Sequence, residues 1–290
     1  MNYIILDLEW DSTYLPKQRR FINQILQIGA VKLNESFEVI DCFEVTVKSS
    51  ISKRVTGRFS QLTGISTDIM MHGTPFETAV EQYNNWVGED TVTMTWSNSD
   101  LYTILENEDN ILYNKHFKIE KYLDLQKFVQ GEMRILGYES KNQVSLEAAA
   151  EFFGIRTDGI EFHTAKDDSL VSAYLLKKCY NKERFGALIR DTSNPEFFKR
   201  LRYKPYTISN LKDSNIDKSQ LEFSCEECGK KAERVSAWKY SNRWFWANFQ
   251  CKCGNKFSGR ITFKKTYDDL IVRKKVCEFR EKKKPVKTEN

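Results

Sequence analysis

The sequence predicts an α/β domain, a central sheet flanked by helices, followed by a small cysteine-bearing domain. Three features predict it: strand-like segments crowd the N-terminal stretch, amphipathic helical patterns dominate from about residue 74 to residue 180, and four of the seven cysteines form two close pairs near the C-terminus. At 290 residues, 40% hydrophobic and 13% aromatic, the chain has material for one large core and one small one, and its composition excludes disorder over most of its length. No apolar run approaches eighteen residues, and the N-terminus lacks a basic stretch followed by an apolar one. Neither a membrane span nor a signal peptide is therefore expected, and the expected location is cytoplasmic.

The first strand is the apolar run Tyr3, Ile4, Ile5 and Leu6, rich in residues that suit a sheet covered on both faces. "QILQIGAVKL" (residues 24–33) is a second strand, and Asn34-Glu35 marks a turn into "FEVIDCFEVTV" (37–47), whose alternation predicts a third beside it. "TPFETAVEQYNNWVG" predicts a helix with Phe76, Val80, Tyr83 and Val87 on one face and Gly88 as its stop. "TVTMTW" (91–96) is a short strand before the helix "SNSDLYTILENE". "YLDLQKFVQGEM" (122–133), "VSLEAAAEFFGI" (144–155) and "HTAKDDSLVSAYLLKKCY" (163–180) complete the helical patterns. The expected layout is an α/β domain over 1–185, a bridging segment over 186–220, a cysteine domain over 221–279 and a basic tail over 280–290.

The acidic residues pose the chemical question. Asp7 and Glu9 are two apart on the first strand, so both side chains point to one side, and two such charges held together by apolar structure repel strongly. A divalent cation is the usual compensation, and hard cations such as Mg²⁺ select oxygen ligands. Asp100 opens the helix after "TMTW", and Asp168 lies in the first turns of the last large helix, five residues after His163. Singly, each suits a helix N-terminus for electrostatic reasons alone.

Together, Asp7, Glu9, Asp100, His163 and Asp168 resemble, in order and setting, the three motifs of the DEDDh branch of the DnaQ-like 3′–5′ exonucleases: D-x-E in "LDLEW", an Asp opening a helix in "WSNSDLYTIL", and H-x-A-x-x-D in "HTAKDD". The resemblance covers roughly residues 1–180 and extends to "QILQIGAV" and "LTGI" (62–65). It implies an RNase H-like mixed sheet and two Mg²⁺ or Mn²⁺ ions that activate a water and stabilise the leaving oxygen. The implied roles are Asp7 touching both ions, Glu9 and Asp168 completing the first, Asp100 supporting the second, and His163 as general base. Asp167 is adjacent to Asp168; Thr164 and Asp167 have capping-box spacing, which leaves Asp168 at the family distance from His163. Trp10 departs from the small residue common after the D-x-E glutamate, and either stacks on a terminal base or packs in the core.

Cys225 and Cys228 in "CEEC", with Cys251 and Cys253 in "CKCG", are separated by 22 residues and predict a closed, structural Zn²⁺ ribbon, although the second pair is C-x-C. Between them, Ser241-Asn242 predicts a hairpin turn that sets Trp238 and Tyr240 across from Trp244 and Trp246. With Arg243, Lys256 and Arg260 around them, these rings suit a single nucleic-acid strand, whose bases stack while its phosphates pair with cations. A docking site for a protein partner is the alternative. Charge supports a polyanion: residues 1–190 hold 21 Lys+Arg against 27 Asp+Glu, and residues 191–290 hold 24 against 13. The expected activity is removal of 5′-mononucleotides from single-stranded 3′ ends, leaning to RNA. A DNA-trimming or proofreading exonuclease and an inactive nucleic-acid-binding adaptor are the alternatives.

Overall fold

The structure, a computed structural model, describes residues 1–16, 18–110, 116–140, 142–156 and 164–279. The chain divides into two units, Met1–Arg202 and the part from Tyr203 onward. The first unit opens with β1 (Asn2–Leu15), β2 (Arg20–Leu33) and β3 (Val39–Lys48), followed by α1 (Gly57–Thr63), α2 (Thr67–Met71), β4 (Thr74–Pro75) and α3 (Phe76–Val87). It continues through β5 (Thr91–Thr95), α4 (Ser99–Asn110), β6 (Lys121–Asp124), α5 (Leu125–Ile135) and α6 (Leu146–Phe152). It closes with α7 (Ala165–Cys179), α8 (Lys182–Leu188), β7 (Arg190–Asp191) and α9 (Pro195–Arg202).

These strands form one sheet in the order β4-β3-β2-β1-β5-β6-β7. β1 runs antiparallel to β2 and parallel to β5, so the sheet is mixed. The reason lies in the connections. A tight hairpin joins β1 to β2, whereas β5 returns beside β1 only after the helical crossover that contains α3. Alternation along β1 feeds two cores: Tyr3 and Ile5 pack with α5, α6 and α7, while Ile4, Leu6 and Leu8 pack with α3 and α4. The uninterrupted apolar run of β1 is thus what a strand covered on both faces requires.

Residues 122–133 read as one amphipathic helix, but the segment is divided. Tyr122 and Leu123 are buried in opposite cores, a strand's alternation, and the helix starts only at Leu125, where the Asp124 carboxylate accepts the Lys127 N–H at 2.9 Å. Residues 186–220, read as a bridging segment, are shared between the two units. β7 extends the first sheet beside β6, and α9 packs Phe197 and Leu201 onto the α3/α4 core. From β8 (Tyr206–Thr207) the chain belongs to the second sheet.

That sheet contains β9 (Glu233–Arg234), β10 (Lys239–Ser241), β11 (Trp244–Gln250), β12 (Lys256–Lys265) and β13 (Leu270–Glu278), with Phe223, Phe245, Phe249, Phe257 and Phe263 in its core. Its β10–β11 turn is at Asn242–Arg243, both with positive φ (51° and 64°), one residue later than the sequence suggests. Two successive left-handed residues match the twist of a tight hairpin. The slip sets Lys239 across from Trp246 and Ser241 across from Trp244. A two-residue turn at either place pairs even-numbered residues of β10 with odd-numbered ones of β11, so Trp238 and Tyr240 take the other face, against Phe249 and Phe245 at ring distances of 5.8 and 4.7 Å. Among the described residues no helix is long and apolar enough to cross a membrane.

Candidate metal centre and flanking sites

Asp7 and Glu9 stand on the α7 side of β1, with Leu8 between them buried on the opposite side. They meet Asp168 from the first turns of α7, and one oxygen from each of the three carboxylates lies within 4.8 Å of the others. Asp168, not its neighbour Asp167, takes this place. Asp167 instead donates its backbone N–H to the Thr164 hydroxyl, the N-cap of α7, at 3.3 Å. Asp100 lies outside this trio at the start of α4, only 2% exposed, and its Oδ1 accepts the Leu8 N–H at 3.2 Å. His163 lies outside the described residues.

The second motif is held by an unusual turn. Ser97 has φ +82°, and its carbonyl accepts bonds from the Tyr122 hydroxyl at 3.1 Å and from the Thr95 hydroxyl. Ser97 Oγ in turn accepts the Ser99 N–H. A left-handed serine costs conformational energy, so this buried network fixes where α4 begins and where Asp100 points.

Three further residues shape the centre. Gly29 is directly across the ladder from Asp7, and a Cβ there would lie 2.4 Å from the Ala165 carbonyl carbon and 2.5 Å from the Lys166 nitrogen. Only a residue without a side chain lets the α7 backbone approach β2 so closely. Gln27, across from Glu9, accepts the Ala165 N–H at 3.4 Å and donates to Glu44 at 3.2 Å; Glu44 also pairs with Lys166 at 3.6 Å. β2 and β3 thus grip the start of the helix that carries Asp168. The sequence signal for Gly29 is a lone glycine inside an apolar strand, the mark of a close backbone approach.

The electrostatics are those of a frustrated site. Burial, then the charges of Asp100, Asp168 and Glu9, push Asp7 well above the usual carboxylate range. Burial, then Asp168 and Asp100, push Glu9 up to about 8, and burial pushes Asp100 up to about 8. Hard oxygen donors with uncompensated negative charge fit one or more divalent cations of the Mg²⁺ or Mn²⁺ type.

In the second unit the thiols of Cys225, Cys228, Cys251 and Cys253 also lie within 4.8 Å of one another. Each pair closes a turn. Cys225 N–H donates to Lys230 O at 2.9 Å, and Cys251 N–H donates to Asn255 O at 2.8 Å. Gly229 and Gly254 take φ of 71° and 98° after the second cysteine of each. The C-x-C pair forms the same device one residue tighter. The Asn255 amide donates to Cys225 Sγ at 3.4 Å and brings that thiol down to about 6, which favours the thiolate a metal needs.

The other sequence-selected residues separate. Trp244, Trp246 and Arg260 share one face of the second sheet, where Lys239 lies 5.1 Å from the Trp246 ring and Lys275 5.6 Å from that of Trp244. Arg243 is in the turn, exposed Lys256 sits 5.9 Å from the Phe279 ring, Trp238 packs half-buried against the core of the second sheet, and Tyr240 is exposed on that same face. Trp10, just past a β-bulge at Glu9, is half-buried against the α3/α4 core.

Residues 4–176 match a family model described as an exonuclease. No curated protein matches the sequence. Among solved structures, the chain is similar to a full-length 3′-exonuclease (19% identity, TM-score 0.54, 66% of this chain and 62% of that one). It is also similar to the nuclease domain of 3′hExo, a DEDDh family member bound to rAMP (20%, TM-score 0.53, 66% and 96%). Cell-death related nuclease 4 is a third (21%, TM-score 0.50, 61% and 62%). The chain thus spans about 62% of the length of the first and third, and at these identities the likeness is one of fold: a mixed sheet flanked by helices.

Proposed function

The chain belongs to the exonuclease family, whose model matches it over residues 4–176, and from that premise we propose that it hydrolyses single-stranded nucleic acid from the 3′-OH end, releasing 5′-mononucleotides. The observation that carries this reading is the meeting of Asp7, Glu9 and Asp168, from two separate elements, in a partly buried cluster. Asp7, Glu9 and Asp168 would hold divalent cations, with Asp100 supporting them. When bound, such ions supply an activated water and charge stabilisation at the leaving oxygen.

The chain's own groups do the rest. His163, at its motif position before α7, takes the proton of the attacking water at Nδ1 or Nε2. The Ser97 turn holds Asp100 beside β1, and Gly29 and Gln27 seat α7 so that Asp168 faces Asp7 and Glu9. The Trp244–Trp246–Arg260 face of the second unit offers stacking and phosphate contacts for the strand. RNA is the favoured substrate, supported by the ribonucleotide rAMP held by a structurally similar nuclease domain. The test is 5′-labelled RNA and DNA of one sequence, with Mg²⁺ or Mn²⁺, beside Asp7→Ala. A ladder shortening from the 3′ end, absent in the variant, is expected, with RNA degraded faster. Intact substrates together with retained binding would leave an inactive adaptor.

We propose Zn²⁺ for the cysteine site, as a structural ion. A Cys₄ set leaves no open position, and the binding energy of such an ion is largely folding energy. Elemental analysis should find zinc in the wild type and none in Cys228→Ser. Proteolysis should then cut the variant after about residue 203 while the first unit persists. A zinc-free wild type with a protease-resistant second unit would refute the assignment.

A further inference from the structure

Beside the second motif, within the first unit, is a pocket of about 320 Å³ that the metal centre does not use. Tyr102 and Phe197 stand in its wall, Tyr122 lies at its base, and Lys127, Arg190 and Arg200 surround it. We propose that this pocket binds one nucleotide of the substrate strand on the 5′ side of the scissile bond, its base against the Tyr102 and Phe197 rings and its phosphate among the cations. The proposal rests on the exonuclease reading, which places the 3′ end of a strand at the carboxylates.

The turn at residues 97–99 is a wall shared by the two sites. Asp100 leaves it toward Leu8, whereas Asn98 and Tyr102 leave it toward the pocket. Tyr122 ties the two together: its hydroxyl oxygen lies 3.1 Å from Ser97 O and 3.0 Å from Asn98 Oδ1 and shares its one proton between them. Both sites open at the carboxyl ends of the parallel strands β1, β5 and β6. Two strand spacings of ~4.8 Å separate β1 from β6, a distance the strand crosses in its next nucleotides.

Lys127, Arg190 and Arg200 line the pocket together with one carboxylate, Asp124, whose side chain caps α5 by accepting the Lys127 N–H. Arg190 is oriented by donating Nη1 to the carbonyls of Ala187 and Ile189 at 3.0 and 3.1 Å. The ring of Tyr102 is half exposed, as a stacking platform must be. A volume near the lower end for small-ligand sites suits a single nucleotide.

Leu188, Arg190, Phe197, Arg200 and Leu201 all lie beyond residue 176, where the family match ends. Half of the pocket's lining therefore lies outside the segment that the family model matches. This wall is anchored: Phe197 lies 5.9 Å from the Tyr122 ring, Arg202 pairs with Asp109 of α4 at 3.1 Å, and Thr192 N–H donates to Glu120 O at 3.2 Å.

The experiment compares wild type, Tyr102→Ala and Lys127→Gln on three probes: a 5′-labelled oligonucleotide of about twelve nucleotides, the p-nitrophenyl ester of thymidine 5′-monophosphate, and free AMP. Cleavage gives kcat and KM, and anisotropy with Ca²⁺ gives Kd for the oligonucleotide. Both variants should weaken oligonucleotide Kd and raise its KM about 10-fold, the scale of one lost base stack. Ester hydrolysis, which needs only the carboxylate centre, should not change. Unchanged oligonucleotide affinity overturns the proposal. So does an equal loss of AMP binding, which would make the pocket a site for free nucleotide. If the wild type cleaves neither substrate, the exonuclease reading fails, and the oligonucleotide Kd values still decide whether the pocket holds a strand.

Discussion

Asp7→Asn is expected to lower nuclease activity by roughly 10³-fold or more, because it removes the carboxylate common to the proposed ion sites, and metal-assisted charge stabilisation supplies several kcal/mol. The same substitution should stabilise the metal-free protein. Asp7, Glu9 and Asp100 are all held above the ordinary carboxylate range, the latter two up to about 8. Between roughly pH 4 and pH 8 the folded chain therefore keeps protons that the unfolded chain has lost. Their contribution to stability falls as pH rises through that window and is most unfavourable above pH 8. The metal-free wild type should melt several degrees lower at pH 8.5 than at pH 5.5, and Mn²⁺ should remove most of that difference. Asp7→Asn should flatten the pH dependence without metal and shrink the Mn²⁺ effect. A melting temperature insensitive to Mn²⁺ at pH 8.5 would show that the acids do not gather an ion.

Gly29→Ala should be nearly as damaging, although residue 29 carries no chemistry. The added Cβ would sit 2.4–2.6 Å from the backbone and Cβ atoms at the start of α7, and a backbone cannot rotate away as a flexible side chain can. Either β2 or α7 must shift, at a cost of ~1–3 kcal/mol for overpacking. Asp168 moves with α7, and a displacement of about 1 Å at a reacting centre is worth roughly 10² in rate. The expected signature is a fall in kcat with a weakened Mn²⁺ shift of the melting temperature, while oligonucleotide Kd is held. Wild-type kcat and Mn²⁺ response in Gly29→Ala would show that the centre tolerates a displaced helix. Gln27→Ala, which removes one bond to Ala165 and the link to Glu44, should show the same signature at smaller amplitude.

Much of this centre is legible in the sequence because its signals are local. The period of two in β1 puts Asp7 and Glu9 on one side, and its double-sided apolar run requires cover by helices. Thr164 announces the start of α7 and draws Asp167 into the cap, which leaves Asp168 for the cluster. The cysteine turns are equally local, each closed within a few residues by its own backbone and glycine. β6 was hidden because four residues leading directly into a helix offer too short a period to separate strand from first turn.

What the sequence by itself determined, then, is which residue types stand on which side of each element: the two acids of β1, the acid at the head of α4, the acid in α7 and the two thiol pairs. Only the tertiary structure decided how those elements meet. Gly29 matters because α7, far along the chain, touches β2 there. Trp238 and Tyr240 part from Trp244 and Trp246 because the β10–β11 ladder sets Tyr240 across from Phe245 and leaves the two tryptophans across from Lys239 and Ser241. The pocket beside Asp100 exists because β7 and α9 fold back onto β6 and α4. Periodicity and capping are settled by neighbours within about a turn of helix. Close approach, register and cavities depend on pairs distant in sequence, whose meeting is fixed by the packing of whole elements.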